Sequence, residues 1–485
     1  MKLRFNSLTL FLLSAVTLWG CMDSAPEGPS ADLGSATVSK YVSVGNSLTA
    51  GYQSGSLYAS AQVNSFPNLI ATQLKIAGAS IGEFQQPIFS NPGTAGRMEL
   101  TSLVGPVIVV NPNSGTPTNI TLTRPYDNLG IPGAVLYDFL DTTDFASKST
   151  QRKNPLFSAI LRNSAFGKSI FSQMQALNPD LVTFWLGNND VLGFATSGGT
   201  SVSPFSGQAT PTPSATFAAL YTQSMDALRA ALPNAKLVVA NIPDVKSIPF
   251  FTTVGPKMAA SIPTLYYLRY QKHGNSSLAF DSTKLTEANA PLITLKASTY
   301  AALLGQPTGK WYRDIAASEG VPVSTVIGAG IDTTQPFGFH PQNPFPDALV
   351  LDAGEQATAA QAIADFNTTI AAQAAAKGAA LVDINGFFNN VKLNGFIVGG
   401  ETYTTSYISG GLFSLDGVHP SSKGAGIVAN EFIKAINSKF GTHIPLVNVV
   451  GLPGIPAPLG KFSPGSIPAI PLRDWKQFDS MWNNF

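Results

Sequence analysis

A chain of 485 residues that is 44% hydrophobic and 10% aromatic carries enough apolar side chains for a sizeable core, which excludes a natively disordered chain. Charged residues make up only 12%, with Lys+Arg 29 against Asp+Glu 28 and a formal charge of +1. No basic stripe offers electrostatic capture of nucleic acid, so none is expected as a partner.

The N-terminus is a separate object. Lys2 and Arg4 precede an apolar run from Leu8 to Leu18 that has the length of a secretory signal and is too short to span a bilayer comfortably. Leu18-Trp19-Gly20-Cys21 follows and resembles a bacterial lipobox, although Trp19 stands where a small residue is usual. The resemblance implies a signal peptide over residues 1–20 and lipidation at Cys21. Cys21 is the only cysteine, so no internal disulfide can form, and the alternative is a chance cysteine after a plain secretory signal. The expectation is an exported bacterial lipoprotein of the cell envelope, at the outer membrane, anchored through its lipid and not spanning. Residues 21–37, small and Pro-containing from Ser24 to Thr37, read as a tether.

Val38 to Val44 is β-branched and aromatic and runs into Gly45-Asn46-Ser47-Leu48, a strand entering a turn. A helix is expected from about Phe66 to Lys75, and helical spacing recurs from Ile160 to Leu177. Leu181 to Leu186 is a continuous apolar run, as suits a strand buried on both faces, and Gly187-Asn188-Asn189-Asp190 follows at once. Downstream, Phe217, Leu220, Tyr221, Leu228 and Leu232 share a helical face, Pro233-Asn234 stops that helix, and Lys236 to Ile242 is a strand. A helix from about Gly354 carries Ile363, Phe366 and Ile370, ends at Gly378 and leads to the strand Ala379 to Ile384. Ser421 or Ser422 can cap a last helix bearing Ile427, Val428, Phe432, Ile436 and Phe440. Alternating helices and buried strands predict an α/β fold of three layers, α/β/α, with a mainly parallel sheet.

Two stretches fall outside that alternation. Residues 97–128 hold Val107 to Val110, a turn-rich Asn111 to Asn119 and Ile120 to Thr123, which reads as an inserted β-hairpin. Residues 243–346 are aromatic and Pro-rich and read as a subdomain inserted over the active edge of the sheet, with its aromatics mostly core and a few lining an acyl pocket. The main domain is then 38–440, and residues 441–485 form a Pro-rich strap.

A serine hydroxyl near neutral pH needs a base to take its proton and a third group to orient that base. In an open parallel sheet such groups gather at the carboxyl ends of the strands, and Ser47, Asn189 and the pair Asp416/His419 all lie just after expected strands or just before expected helices. Gly45-Asn46-Ser47-Leu48 resembles the first block of the GDSL/SGNH hydrolases, Gly187-Asn188-Asn189-Asp190 their Gly-x-Asn-Asp block, and Asp416-Gly417-Val418-His419-Pro420 their Asp-x-x-His-Pro block. Asn128-Leu129-Gly130-Ile131-Pro132-Gly133 stands in the order of the remaining block. The resemblance implies a flavodoxin-like SGNH fold with insertions and an esterase or lipase that cleaves carboxylic esters through an acyl-Ser47 intermediate without a cofactor. It implies Ser47 as nucleophile, His419 as base, Asp416 as its orienting acid, and an oxyanion hole from the N–H of Ser47, the N–H of Gly133 and the amide of Asn189. Gly133 is preferred to Gly130 because it stands five residues after Asn128, the usual family separation. Asn46 replaces the aspartate of the family name, which is not the acid of the triad.

Low charge and the apolar insertion favour lipid or fatty-acyl esters over acetylated glycans as substrate. A non-catalytic surface lipoprotein that binds glycan or lipid, and an acyltransferase, are the alternatives. His273, His340 and His443 have no neighbouring motif and read as packing or loop residues, so no metal site is expected. The chain is expected to act as a monomer.

Overall fold

The computed structural model describes residues 30–456 apart from 95, 104–106, 201–209, 264 and 273–279, together with Ile470 and Trp475. The signal peptide, Cys21, the first part of the tether and His273 lie outside the described residues.

Five strands form the central sheet: β1 (Tyr41–Gly45), β2 (Asn128–Gly130), β3 (Leu181–Trp185), β4 (Lys236–Ala240) and β5 (Ala380–Val382). Their order is β5-β4-β3-β1-β2, and every neighbouring pair is parallel. This is the flavodoxin-like order, in which the direction of strand progression reverses between β1 and β3 and opens a crevice at their carboxyl ends. Ser43 lies opposite both Asn128 and Thr183, so the ends of β1, β2 and β3 stop level with one another.

The principal helices are α1 (Ser47–Ala50), α2 (Phe66–Ile76), α3 (Asn189–Thr196), α4 (Ser214–Ala231), α5 (Ala353–Ala376), α6 (Ile384–Asn394) and α7 (Ser422–Phe440). Strand side chains alternate between faces, and two residues of β3 show both layers of the core. Trp185 packs on Phe66 of α2 and Phe432 of α7, while Phe184 turns the other way onto Phe139 and Tyr221 of α4. On that second face Phe217 of α4 stacks on Phe366 of α5 with ring centroids 3.8 Å apart. Both faces of the sheet are therefore covered, which is why its strands read as unbroken apolar runs.

Three expectations need correction, and two share one cause. The helical spacing from Ile160 to Leu177 is broken into Leu156–Leu161, a short turn at Ser164–Phe166, and Ile170–Leu177. Arg162 takes a positive φ of 55° there, and its guanidinium donates to the carbonyls of Ile120, Leu122 and Arg124 at 3.1, 2.7 and 2.6 Å. Those carbonyls are thus satisfied without a strand partner, and residues 120–123 form no strand. Val107–Val110 pairs instead with Met98–Ser102, across a connection shorter than 111–119 and so cheaper to close. The third correction lies after β5, where Ile384 begins α6. Asp383 accepts from the Gly386 N–H at 2.9 Å, an N-cap hidden behind an apolar run.

Residues 243–346 contain short helices and the antiparallel pair Leu268–Gln271 with Phe280–Thr283. Leu292–Ile293 pairs with Val350–Leu351, just beyond that stretch. Phe250, Phe251, Trp311 and Tyr312 are buried, whereas Tyr266 and Tyr267 are exposed. After α7 the chain runs back along the helix, where the Asn430 side chain bonds both backbone groups of Val447 and the Asn437 side chain both of Ile444. His443 Nδ1 lies 3.0 Å from Asp32, which ties this return to the first described residues. Further on, Trp475 is buried edge-on against Phe250. No helix among the described residues is long and apolar enough to cross a membrane, and no group of three His, Cys, Asp or Glu there could hold a metal ion.

Candidate active site

β1 delivers Ser47 to the crevice at the first position of α1. The N-cap of α1 is Asn46, whose Oδ1 accepts from the Leu48 N–H at 3.1 Å. Asn46 is completely buried. An aspartate there would bring a charge into that interior, and the carboxamide supplies the same capping oxygen without one. With the cap provided by its neighbour, the Ser47 hydroxyl is left for other partners.

The loop from Phe413 to Pro420 holds the other two groups. Its ends are joined by the Ser414 N–H bonding the His419 carbonyl at 2.7 Å, and Gly417 turns the chain at φ 73°. A side chain at Gly417 would also press on Leu295 and on the Phe250 backbone. Asp416 Oδ1 accepts the N–H groups of Val418 and His419, both at 2.9 Å. Its Oδ2 accepts the Gly55 N–H at 3.1 Å and lies 3.1 Å from His419 Nδ1. Burial pushes the Asp416 carboxyl up, but the His419 charge and these donors outweigh it and hold it below the ordinary carboxylate range.

His419 Nε2 lies 2.8 Å from Ser47 Oγ. The tilted Tyr52 ring packs on the imidazole with centroids 4.8 Å apart. Asp416 and His419 are fully buried and Ser47 is 2% exposed. Hydroxyl, imidazole and carboxylate therefore stand in series, shielded from competing water.

The remaining expected residues surround the same crevice. Asn128 stitches β2 to α1 through the Thr49 carbonyl at 2.8 Å, and its Oδ1 accepts the Gly130 N–H at 3.0 Å. Gly130 also backs so closely onto α1 that a Cβ would lie 2.5 Å from the Ala50 nitrogen. Gly130 is thus a packing residue with its N–H already used. The N–H groups of Ser47 and Gly133 have no acceptor among the described residues. Gly133 is held from below: the Arg152 guanidinium donates to its carbonyl at 2.8 Å, and Asn154 donates to the Pro132 carbonyl at 2.8 Å. Arg152 is in turn paired with buried Asp138 at 2.5 Å. Asn189, first residue of α3, donates from Nδ2 to the Ala134 carbonyl at 2.8 Å, so one of its two amide hydrogens is engaged.

Asp190 anchors this loop from the other side, accepting the Leu136 N–H at 2.9 Å and the Thr212 hydroxyl at 3.0 Å. Burial pushes its carboxyl up to about 7, against the pull of these two donors and with help from the Asp138 charge. Between the ordinary 3.8 and about 7 the folded chain keeps the proton while the unfolded chain releases it. This contribution to stability is therefore fully present below that range and falls by about 1.4 kcal/mol per pH unit through it. Asp190→Asn retains an oxygen for Leu136 and gives Thr212 an N–H partner without a charge. It should match the parent near pH 4 and exceed it by roughly 4 kcal/mol near pH 8. Denaturant unfolding at the two pH values checks this, and an equal difference at both would contradict it.

Ser47 and His419 open into a cleft of about 610 Å³, counting its mouth, whose walls include Leu48, Trp185, Leu192, Ile242, Phe388 and Phe413. Its aromatics come from β3, α6 and the 413–420 loop, and the aromatics expected from 243–346 are absent from the wall, where that insertion contributes Pro243, Asp244, Val245 and Ile248. Sequence reasoning also missed Gly55, Tyr52 and Arg152. None carries a local motif, because each acts on a group distant in sequence.

A hydroxyl, an imidazole and a carboxylate in series at the switch point of a parallel sheet is the constellation of a serine hydrolase. Residues 41–432 match the model of the GDSL-like lipase/acylhydrolase family, and the chain belongs to that family and is an ester-hydrolysing enzyme. No curated protein matches it. Among solved structures it is similar to an acetyl xylan esterase, AlAXEase, at 14% identity over 82% of this chain and 98% of that one, with a TM-score of 0.30. It is also similar to a protein from Parabacteroides merdae described as a GDSL-like lipase, at 13% identity over 83% and 97% of the two chains, with a TM-score of 0.32.

Proposed function

We propose that Ser47 is the nucleophile of a carboxylesterase that favours fatty-acyl esters. The observation that carries the reading is the 2.8 Å approach of His419 Nε2 to Ser47 Oγ at the floor of an apolar cleft. With its Nδ1 proton directed at Asp416, His419 presents a lone pair at Nε2 and takes the hydroxyl proton as Ser47 attacks the ester carbonyl. The oxyanion that forms is met by the N–H groups of Ser47 and Gly133 and by the second amide hydrogen of Asn189, each donor worth on the order of 3 kcal/mol. His419 then protonates the departing alcohol. Water repeats the sequence on the acyl-Ser47, and the acid leaves.

The cleft walls support an acyl chain longer than acetyl. At ~0.8 kcal/mol per buried CH₂, two or three methylenes lodged among Leu192, Ile242 and Phe413 should raise kcat/KM by about 10- to 60-fold. A p-nitrophenyl ester series from acetate to octanoate should show this rise. A sharp preference for acetate would remove the fatty-acyl reading and leave the esterase.

A further inference from the structure

One polar side chain in the cleft wall has no partner among the described residues. Asn188 is 4% exposed, and neither its Oδ1 nor its Nδ2 finds a hydrogen-bonding group among the described residues. Its backbone carbonyl is committed, accepting from the Leu192 N–H at 2.9 Å at the start of α3. The two residues that follow have protein partners, Asn189 in Ala134 through one amide hydrogen and Asp190 in Leu136 and Thr212. Asp244, also in the wall, accepts the Lys246 N–H on one oxygen at 2.9 Å and is only half-buried, so water can reach it. A buried carboxamide with both ends unpaired is costly and rare in a native fold, and inside a substrate cleft a ligand group can complete it.

We infer that Asn188 reads a free hydroxyl of the substrate close to the scissile ester, an inference that rests on the proposed attack by Ser47 in this cleft. A carboxamide offers a donor and an acceptor side by side, and the hydroxyl is the small group that answers both. An alkyl chain or a fully esterified alcohol would set hydrocarbon against it and leave it unpaired. The surrounding wall of Leu48, Val191, Leu192 and Ile248 provides no competing partner for that hydroxyl. The substrate class is a hydroxy ester, with the hydroxyl on the alcohol, as in a partly acylated polyol, or on the acyl chain.

Two matched pairs distinguish the sources. Ethyl octanoate is compared with 2-hydroxyethyl octanoate for the alcohol side, and with ethyl 3-hydroxyoctanoate for the acyl side. In one pair the hydroxylated ester should be favoured in kcat/KM by about tenfold or more, the discrimination open to a site that hydrogen-bonds a substrate hydroxyl. Asn188→Ala should collapse that ratio towards one. It should also raise the melting temperature, because an unpaired buried amide is gone, an effect that a merely structural Asn188 would reverse. Labelling of Ser47 by a fluorophosphonate reports that the variant is folded, and Asn188→Ser repeats the test if the alanine variant is not labelled. No preference in either pair, or an equal loss on both members of each pair, overturns the inference. Because the ratio is read within one chain length, the pairs can be repeated as acetates. A failed fatty-acyl preference thereby stays separate from a failed hydroxyl preference, while absence of Ser47 labelling in the parent would instead remove the nucleophile reading.

Discussion

Ser47→Ala should lower kcat towards a p-nitrophenyl ester by roughly 10⁴- to 10⁶-fold. The size follows from what the change removes. The atom 2.8 Å from His419 Nε2 is the atom that would bond to the acyl carbon, and nothing else in the cleft wall can form that bond with the imidazole behind it. The backbone N–H groups and the apolar wall survive the substitution, so substrate should still bind, and the loss should fall on kcat with little change in KM. Stability should move little, because a small side chain loses one oxygen and its contact with His419, about 1 kcal/mol for a hydrogen bond. A fluorophosphonate should label the parent and not the variant. Activity retained in Ser47→Ala would overturn the mechanism, and retained labelling would place the reactive group elsewhere.

The parts of this site that could be read from sequence are those in which a short segment carries its own geometry. Asp416 and His419 are three residues apart in a loop that closes on itself, and Ser47 and Asn189 each stand where a buried strand turns into a helix. Periodicity located all five strands of the sheet except β2, because Asn128–Gly130 is three residues long and contains no apolar run to recognise. Only the packing reveals that Asn46, one residue before Ser47, caps α1. What stayed hidden was set by long-range polar contacts. Arg162 decides where a helix breaks and where a hairpin does not form, by donating to carbonyls some forty residues away. Gly55 joins Asp416 across 361 residues, and Arg152 supports the Gly133 peptide from outside every family block. Such contacts leave no periodic trace, since each depends on where two chain segments happen to meet.

Asp416→Asn should be nearly as damaging to turnover, at roughly 10³- to 10⁴-fold in kcat. Asp416 receives two donors on each oxygen: Val418 and His419 backbone on Oδ1, Gly55 and the His419 ring on Oδ2. A carboxamide has a single oxygen to offer. If that oxygen stays with the two backbone N–H groups of its own turn, the NH₂ faces Gly55 and His419 Nδ1. The ring must then accept at Nδ1 and carry its proton at Nε2, where it can no longer take one from Ser47. The flipped amide would preserve the ring but set NH₂ against the Val418 and His419 N–H groups, breaking the loop's own turn. Either orientation leaves a buried donor unpaired, so the variant should also unfold at lower denaturant. The pH dependence fixes the cause. The parent's carboxyl is held below its ordinary 3.8, so its contribution to stability is present above that value and is lost as pH falls through the lowered one. The stability gap between parent and Asp416→Asn should accordingly narrow in acid and be widest near neutral pH. A variant within tenfold of the parent's kcat would mean that something other than Asp416 sets the His419 tautomer, and the proposed role of this carboxylate would fall.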